Sequence, residues 1–98
     1  MSIDFTAVAD ALTRAATAME TNPNLDPDGA VRLAVWGNPD TPYPGDNAPG
    51  ADAFNEAVSA IECYCGWQGN GIADIPVPEA IAAARAEAAR FASYGGGR

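Results

Sequence analysis

The amphipathic period of residues 2–20, SIDFTAVADALTRAATAME, sets the class of fold. Apolar side chains recur there at steps of three and four residues, which places one stripe on a single helix face: Phe5, Val8, Leu12, Ala15 and Met19. Ser2 is a suitable N-cap, and Asp10 stands four residues before Arg14, a spacing at which opposite charges pair on a helix. We therefore predict a helix from Ser2 to Glu20.

A second helix is predicted between Asp26 and Gly37. Aspartate is a preferred N-cap, Pro27 fits the first helical position, and glycine commonly follows the last turn. The larger apolar residues of 30–36 also alternate, as they would in a strand. The cap residues favour the helix, and the strand stays open as an alternative that lacks an obvious partner.

The second half of the chain predicts two more helices. Residues 51–65 place a run of side chains on one face, with Gly66 ending the helix: Phe54, Ala57, Val58, Ile61, Tyr64 and Cys65. The last helix begins at Pro78 and continues to Tyr94. Its inward set is Ile81, Ala84, Ala88 and Phe91, and its outward set is Arg85, Glu87 and Arg90. Residues 72–77 are too short for more than an extended link.

Residues 37–50, GNPDTPYPGDNAPG, form the longest irregular segment, with four prolines and three glycines. That composition excludes a continuous helix or a central strand, and a loop this long in so small a domain is often functional or mobile. The predicted fold is therefore all-α: a compact bundle of about four helices with a long Pro/Gly-rich loop between helices 2 and 3. Residues 1–94 form one domain, and residues 95–98 form a flexible glycine-rich tail.

The composition predicts a thin core. Apolar residues make up 48% of the 98, but alanine accounts for 22 of them, while leucine, isoleucine, valine and phenylalanine together number 16. Because burial stabilises by ~25 cal/mol per Å² of apolar surface, small side chains contribute little each. Modest stability or homo-oligomer formation is therefore expected.

The charge balance restricts the partners. The chain has 13 acidic residues, five arginines, no lysine and no histidine, for a net charge of −8, and residues 33–84 contain seven acids and no base. Binding to nucleic-acid phosphates or to an anionic membrane surface requires clustered bases, which this chain lacks. We therefore expect a neutral or basic protein partner, with no nucleic acid and no membrane.

The side-chain inventory also argues against catalysis. Without histidine the chain has no histidine base, no Ser-His or Cys-His nucleophile and no imidazole metal ligand. Cys63 and Cys65 point about 200° apart on the predicted helix, and two ligands do not complete a structural zinc site. Neither a run of 18 apolar residues nor a basic N-terminal start is present. We predict a non-enzymatic, cytoplasmic protein with no cofactor and no metal.

Aromatic residues set in irregular, acidic backbone are the candidate binding residues. Together with neighbouring polar side chains, the candidates are Trp36, Asp40, Tyr43, Asp46, Trp67 and Gln68. Tyr43 lies between two prolines, and Trp67 lies in the glycine-rich turn 66–71. Each of these two rings either packs against the bundle or is exposed as an interface anchor, and both alternatives stay open.

Two short strings, ALTRAA at 11–16 and DPDGAV at 26–31, followed by a late helix begun by proline, resemble small uncharacterised α-helical proteins of actinobacteria and their phages. The resemblance implies no reaction and no catalytic residues. It implies a phage-encoded product that acts in the host cytoplasm. Our leading hypothesis is a protein-interaction module that binds a host or virion protein. The alternative is a structural virion component, a capsid or tail accessory protein acting through oligomerisation.

Overall fold

The computed structural model describes residues 4–67 and 71–96. Four α-helices lie in these two ranges, with one short 3₁₀ turn at Ile72–Asp74 and no strand. The helices are α1 (Phe5–Thr21), α2 (Pro27–Trp36), α3 (Ala51–Cys65) and α4 (Val77–Gly96). The predicted all-α bundle of about four helices is confirmed, and residues 30–36 are helical.

The start of α1 differs from the prediction. The N-cap is Asp4, whose carboxylate accepts a hydrogen bond from the Ala7 N–H at 3.0 Å, and the predicted cap Ser2 lies outside the described residues. Aspartate caps a helix as well as serine does. Asp4, the capping residue nearest to the apolar stripe, was therefore the better indicator of where the helix begins. The predicted pair between Asp10 and Arg14 is confirmed at 2.9 Å.

The local chemistry of α2 explains why the helix forms in place of the strand. The Asp26 carboxylate accepts a hydrogen bond from the Gly29 N–H at 2.7 Å, Pro27 begins the helix, and Gly37 ends it with a left-handed φ of 79°. The caps satisfy backbone groups at both ends of the ten-residue helix. The alternating apolar residues of 31–35 therefore lie in a helix and not in a strand.

Helices α1 and α4 are the most extensively packed pair, and both bury many small side chains. The alanines buried on these two helices are Ala9, Ala11, Ala15, Ala16, Ala80, Ala83, Ala84 and Ala88. Alanine permits close approach of helix axes but buries little area per residue. Larger side chains complete the core, and each of these is at most 2% exposed: Val8, Leu12 and Met19 of α1, Val31 of α2, Ile61 of α3 and Ile72 of the 3₁₀ turn.

The structure corrects the prediction between α3 and α4. Residues 72–77 are not simply an extended link, because the 3₁₀ turn and the residue after it bury Ile72 and Ile75 in the core.

Tyr64 of α3 does not face inward as predicted and is 55% exposed. Ala57 stands about 20° from Tyr64 around the helix and is buried, so the exposure of Tyr64 reflects its place in the last turn of α3.

Two further corrections concern α4. Glu87 is only 8% exposed and does not point outward, because Arg90 covers it and donates three hydrogen bonds to its carboxylate. The helix also continues through Gly95 and Gly96, which the sequence assigned to the tail, whereas residues 97–98 lie outside the described ranges. Glycine disfavours a helix by only about 1 kcal/mol, so it does not stop one already formed.

The lengths and hydropathies of the helices also bear on membrane association. Across residues 4–67 and 71–96, no helix combines the length and the apolar character needed to cross a membrane.

Candidate functional site

The structure brings three of the predicted binding residues together. Trp36, Tyr43 and Asp46 meet Phe54 and Asn55 of α3 where the end of α2 faces the start of α3. We call this group of five residues the aromatic loop site. It is built by the long loop of residues 37–50, which folds back so that its middle contacts both helices.

Trp36 fixes the end of the loop against α2. Its indole N–H donates a hydrogen bond to the Pro49 carbonyl oxygen at 2.8 Å, and its ring centroid lies 5.1 Å from that of Phe54. Gly50 follows with φ 87°, and a Cβ added there would lie 2.6 Å from Cγ1 of Val35 and 2.8 Å from Nε1 of Trp36. Only glycine fits this close approach. The sequence analysis did not single out Gly50, although a Pro-Gly pair before a helix is a turn signal.

Tyr43 is held and exposed at the same time. Its ring lies 6.4 Å from that of Trp36 and 5.9 Å from that of Phe54, while 38% of the residue stays exposed. Its hydroxyl donates a hydrogen bond to Asp46 at 2.5 Å and accepts one from the Asn55 side-chain amide at 2.9 Å. The bond to the Asp46 carboxylate raises the pKa of Tyr43 above its ordinary value, so the hydroxyl stays protonated. The Tyr43 ring therefore packs against the bundle on one side and is exposed on the other.

Arg32 fixes the middle of the loop, a role that the sequence analysis missed. Its guanidinium donates to the Thr41 carbonyl oxygen at 2.6 Å and to the Asp28 carboxylate at 2.8 Å. The guanidinium carbon also lies 4.9 Å from the centre of the Phe54 ring. The available signal was the four-residue spacing from Asp28, which predicts a pair on one helix face. With Trp36 and Tyr43, Arg32 gives the loop three separate attachments.

The predicted residue Asp40 lies apart from the aromatic loop site. It lines a pocket of about 330 Å³ beside the start of α2, together with Asn24, Leu25, Asp26, Asp28, Gly29 and Pro39. Asp26 caps α2 and Asp28 binds Arg32, so two of the three acids there have structural roles. Among the residues of known placement, no three acids or cysteines are grouped closely enough to hold a metal ion.

Trp67 also lies apart, beyond the far end of α3. Its indole N–H donates to the Gly71 carbonyl oxygen at 3.0 Å, and its half-buried ring packs against the core. At 1.5 Å per residue, about 17 Å of helix separates Phe54 from Cys65. Trp67 therefore does not belong to the aromatic loop site. Gln68, the remaining candidate, lies outside the described residues.

The two cysteines lie near Trp67 in sequence and have different surroundings. Cys63 is exposed, while Cys65 is half-buried and its thiol approaches the Glu79 carbonyl oxygen at 3.9 Å. Burial, followed by the charge of Glu79, raises the pKa of the Cys65 thiol. A raised thiol pKa reduces the reactive thiolate fraction, so the surroundings of Cys65 do not activate a nucleophile.

The charge around the aromatic loop site is strongly negative. Residues 26–65 carry seven acids and one arginine. Within the described ranges the only ion pair of this segment joins Arg32 and Asp28. The remaining carboxylates of the segment are Asp26, Asp40, Asp46, Asp52, Glu56 and Glu62.

Comparison with known proteins finds no family model, curated protein or solved structure that matches this chain. The functional interpretation therefore depends on geometry and charge.

Proposed function

We propose that the protein is a non-enzymatic protein-binding module that acts through the aromatic loop site. One observation carries the proposal: Tyr43 is positioned by two rings and two hydrogen bonds while 38% of it remains exposed. Tyrosine is over-represented among the residues that dominate binding energy at protein interfaces. A ring that is already ordered loses little entropy when a partner binds.

The length and fastening of the loop support the same function. A connection between packed helices usually takes about two to eight residues, whereas this one takes 14. The extra length is ordered by the bonds from Arg32 to Thr41, from Tyr43 to Asn55 and from Trp36 to Pro49. These attachments hold the exposed part of the loop in one shape, as a binding surface requires.

The partner in this proposal is a host or virion protein, as the resemblance to phage proteins implies. Affinity capture from the native host tests it with the wild-type chain, Tyr43→Ala and a matched control, Tyr64→Ala. Tyr64 is also an exposed tyrosine, at 55%, but it lies at the other end of α3. We expect the Tyr43 variant to lose a partner that the Tyr64 variant retains, with both variants folded by circular dichroism.

Two outcomes would contradict or redirect the proposal. Equal recovery of every captured protein by the two folded variants would remove the aromatic loop site as the binding surface. A concentration-dependent oligomer that Tyr43→Ala dissociates would show that the partner is a second copy, as the structural-component alternative requires.

A further inference from the structure

Two arginines of this chain share one arrangement. Arg32 lies 4.9 Å from the centre of the Phe54 ring and binds the Asp28 carboxylate at 2.8 Å. Arg90 lies 4.6 Å from the centre of the Phe91 ring and binds the Glu87 carboxylate. In each case the guanidinium lies over a ring and donates to a carboxylate, a combination that suits arginine better than lysine.

Tyr43 and Asp46 form a third pair of ring and carboxylate, at the surface. Asp46 Oδ1 accepts the hydrogen bond from the Tyr43 hydroxyl, which leaves Oδ2 able to accept another. Asp52 is near enough for its charge to contribute to the raised pKa of Tyr43. Where the structure describes the chain, no arginine lies over the Tyr43 ring. Arg32 lies over the ring of Phe54, and Arg90 lies over the rings of Phe91 and Tyr94.

The two remaining described arginines have partners elsewhere. Arg14 pairs with Asp10 on α1, and Arg85 pairs with Glu20 across α1 and α4. Seven acids against one arginine in residues 26–65 give the surface around Tyr43 a negative charge. Such a surface attracts a partner of opposite charge and accelerates its association.

We infer that the partner presents a basic segment whose arginine stacks on Tyr43 and donates to Asp46. This inference rests on the proposed function and specifies the chemistry of the partner. An uncharged segment could donate hydrogen bonds to Asp46 but would leave its charge unpaired when it covered the carboxylate, which is costly. A lysine would pair with the carboxylate but would lack the planar group that stacks on the ring.

The test uses the full chain labelled with ¹⁵N and three peptides of equal length. Each peptide is glycine and serine with three arginines, three lysines or three glutamates. The Asn55 side-chain amide and the Trp36 indole N–H report on the aromatic loop site, and the Trp67 indole N–H reports on the far end of α3. We expect the arginine peptide to shift the first two signals and leave the third in place.

The variants separate a specific site from general attraction. Asp46→Asn keeps an oxygen for the Tyr43 hydroxyl and removes one charge, and Glu62→Gln removes the same charge about 10 Å along α3 from Asn55. We expect Asp46→Asn and Tyr43→Ala each to weaken arginine-peptide binding by about fivefold or more, and Glu62→Gln by less than about twofold. The lysine peptide should bind several-fold more weakly and the glutamate peptide should not bind.

Three results would overturn the inference: equal binding of the arginine and lysine peptides, equal weakening by Asp46→Asn and Glu62→Gln, or no loss in Tyr43→Ala. If Asp46→Asn alters the free-state signals of Asn55 or Trp36, Tyr43→Ala and the peptide comparison still decide the matter. A Tyr43-dependent partner that binds through a segment without arginine would end this inference and leave the proposed function standing. Absence of any Tyr43-dependent partner would instead end the proposed function.

Discussion

The pair of helices α1 and α4 and the segment from α2 to α3 are built on different principles. The first packs through buried alanines along the helices and through the rings of Phe5, Phe91 and Tyr94 at one end, with ion pairs on its outside. The second gathers Trp36, Tyr43 and Phe54 around an irregular loop and closes it with side-chain hydrogen bonds. The contrast separates a scaffold made by periodicity from a surface made by individual contacts.

Charge follows the same division. Residues 4–21 together with 77–96 carry five acids and three arginines, a formal charge of −2, and they contain three of the four ion pairs of the described chain. Residues 26–65 carry seven acids and one arginine, a formal charge of −6, with one ion pair. The scaffold neutralises most of its charge internally, whereas the loop half presents its charge to solvent.

The largest expected effect is a difference in the free energy of unfolding between a variant in α1 and a variant in α2. Leu12 is fully buried in α1, and Leu33 of α2 is only half-buried. Leu12→Ala should lower the free energy of unfolding by about 3 kcal/mol, because it leaves a cavity in a core that already contains few large side chains. Leu33→Ala, the matched change in the loop half, should cost less than about 1 kcal/mol. Urea unfolding measures both, and equal losses would contradict the place of Leu12 in the core.

A smaller effect tests how closely the end of the loop packs against α2. Gly50→Ala should destabilise the protein by about 2 kcal/mol, because the new Cβ meets Val35 and Trp36 and the backbone has positive φ. Gly37→Ala is the control, since φ there is 79°, close to that of Gly50, and nothing lies within 4 Å of the new Cβ. It should cost about 1 kcal/mol, from backbone strain alone. Thermal unfolding compares them, and an equal cost would show that the loop end is not closely packed on α2.

The difference between the halves also explains what the sequence could predict. Periodicity locates the inward stripe of α1 and, apart from Tyr64, that of α3, and cap residues decide α2, because these signals lie within a few adjacent residues. The bonds from Arg32 to Thr41 and from Asn55 to Tyr43 join residues nine and twelve apart through an irregular loop. No repeating pattern marks such pairs, so the attachment of the loop could not be predicted.

The same reasoning accounts for the candidate residues. Trp36, Tyr43 and Asp46 were identified by type and setting, and the structure brings them together. Asp40 and Trp67 met the same criteria and lie elsewhere. Residue type and local composition do not predict which way a loop side chain points. The group of candidate residues that the structure brings together is therefore smaller than the set that the sequence suggested.

The smallest effect is a pH dependence confined to the loop. The hydrogen bond to Asp46 raises the pKa of Tyr43 above 10.0, so the folded protein binds this proton more tightly than the unfolded chain does. The resulting stabilisation is complete below pH 10 and is lost as the pH rises through the folded-state pKa. Tyrosinate absorbance at 295 nm, compared between the wild-type chain and Tyr43→Phe, isolates this titration. Asp46→Ala should return it towards its ordinary value, and an unmoved titration would contradict the bond.

The most direct test of the central claim, that the ordered Tyr43 ring anchors a protein partner, is calorimetric titration of the captured partner. The titration compares the wild-type chain with Tyr43→Ala and Tyr64→Ala. We predict at least about tenfold weaker binding for Tyr43→Ala and a change within about twofold for Tyr64→Ala. Affinities within twofold of wild type for both folded variants would contradict the account.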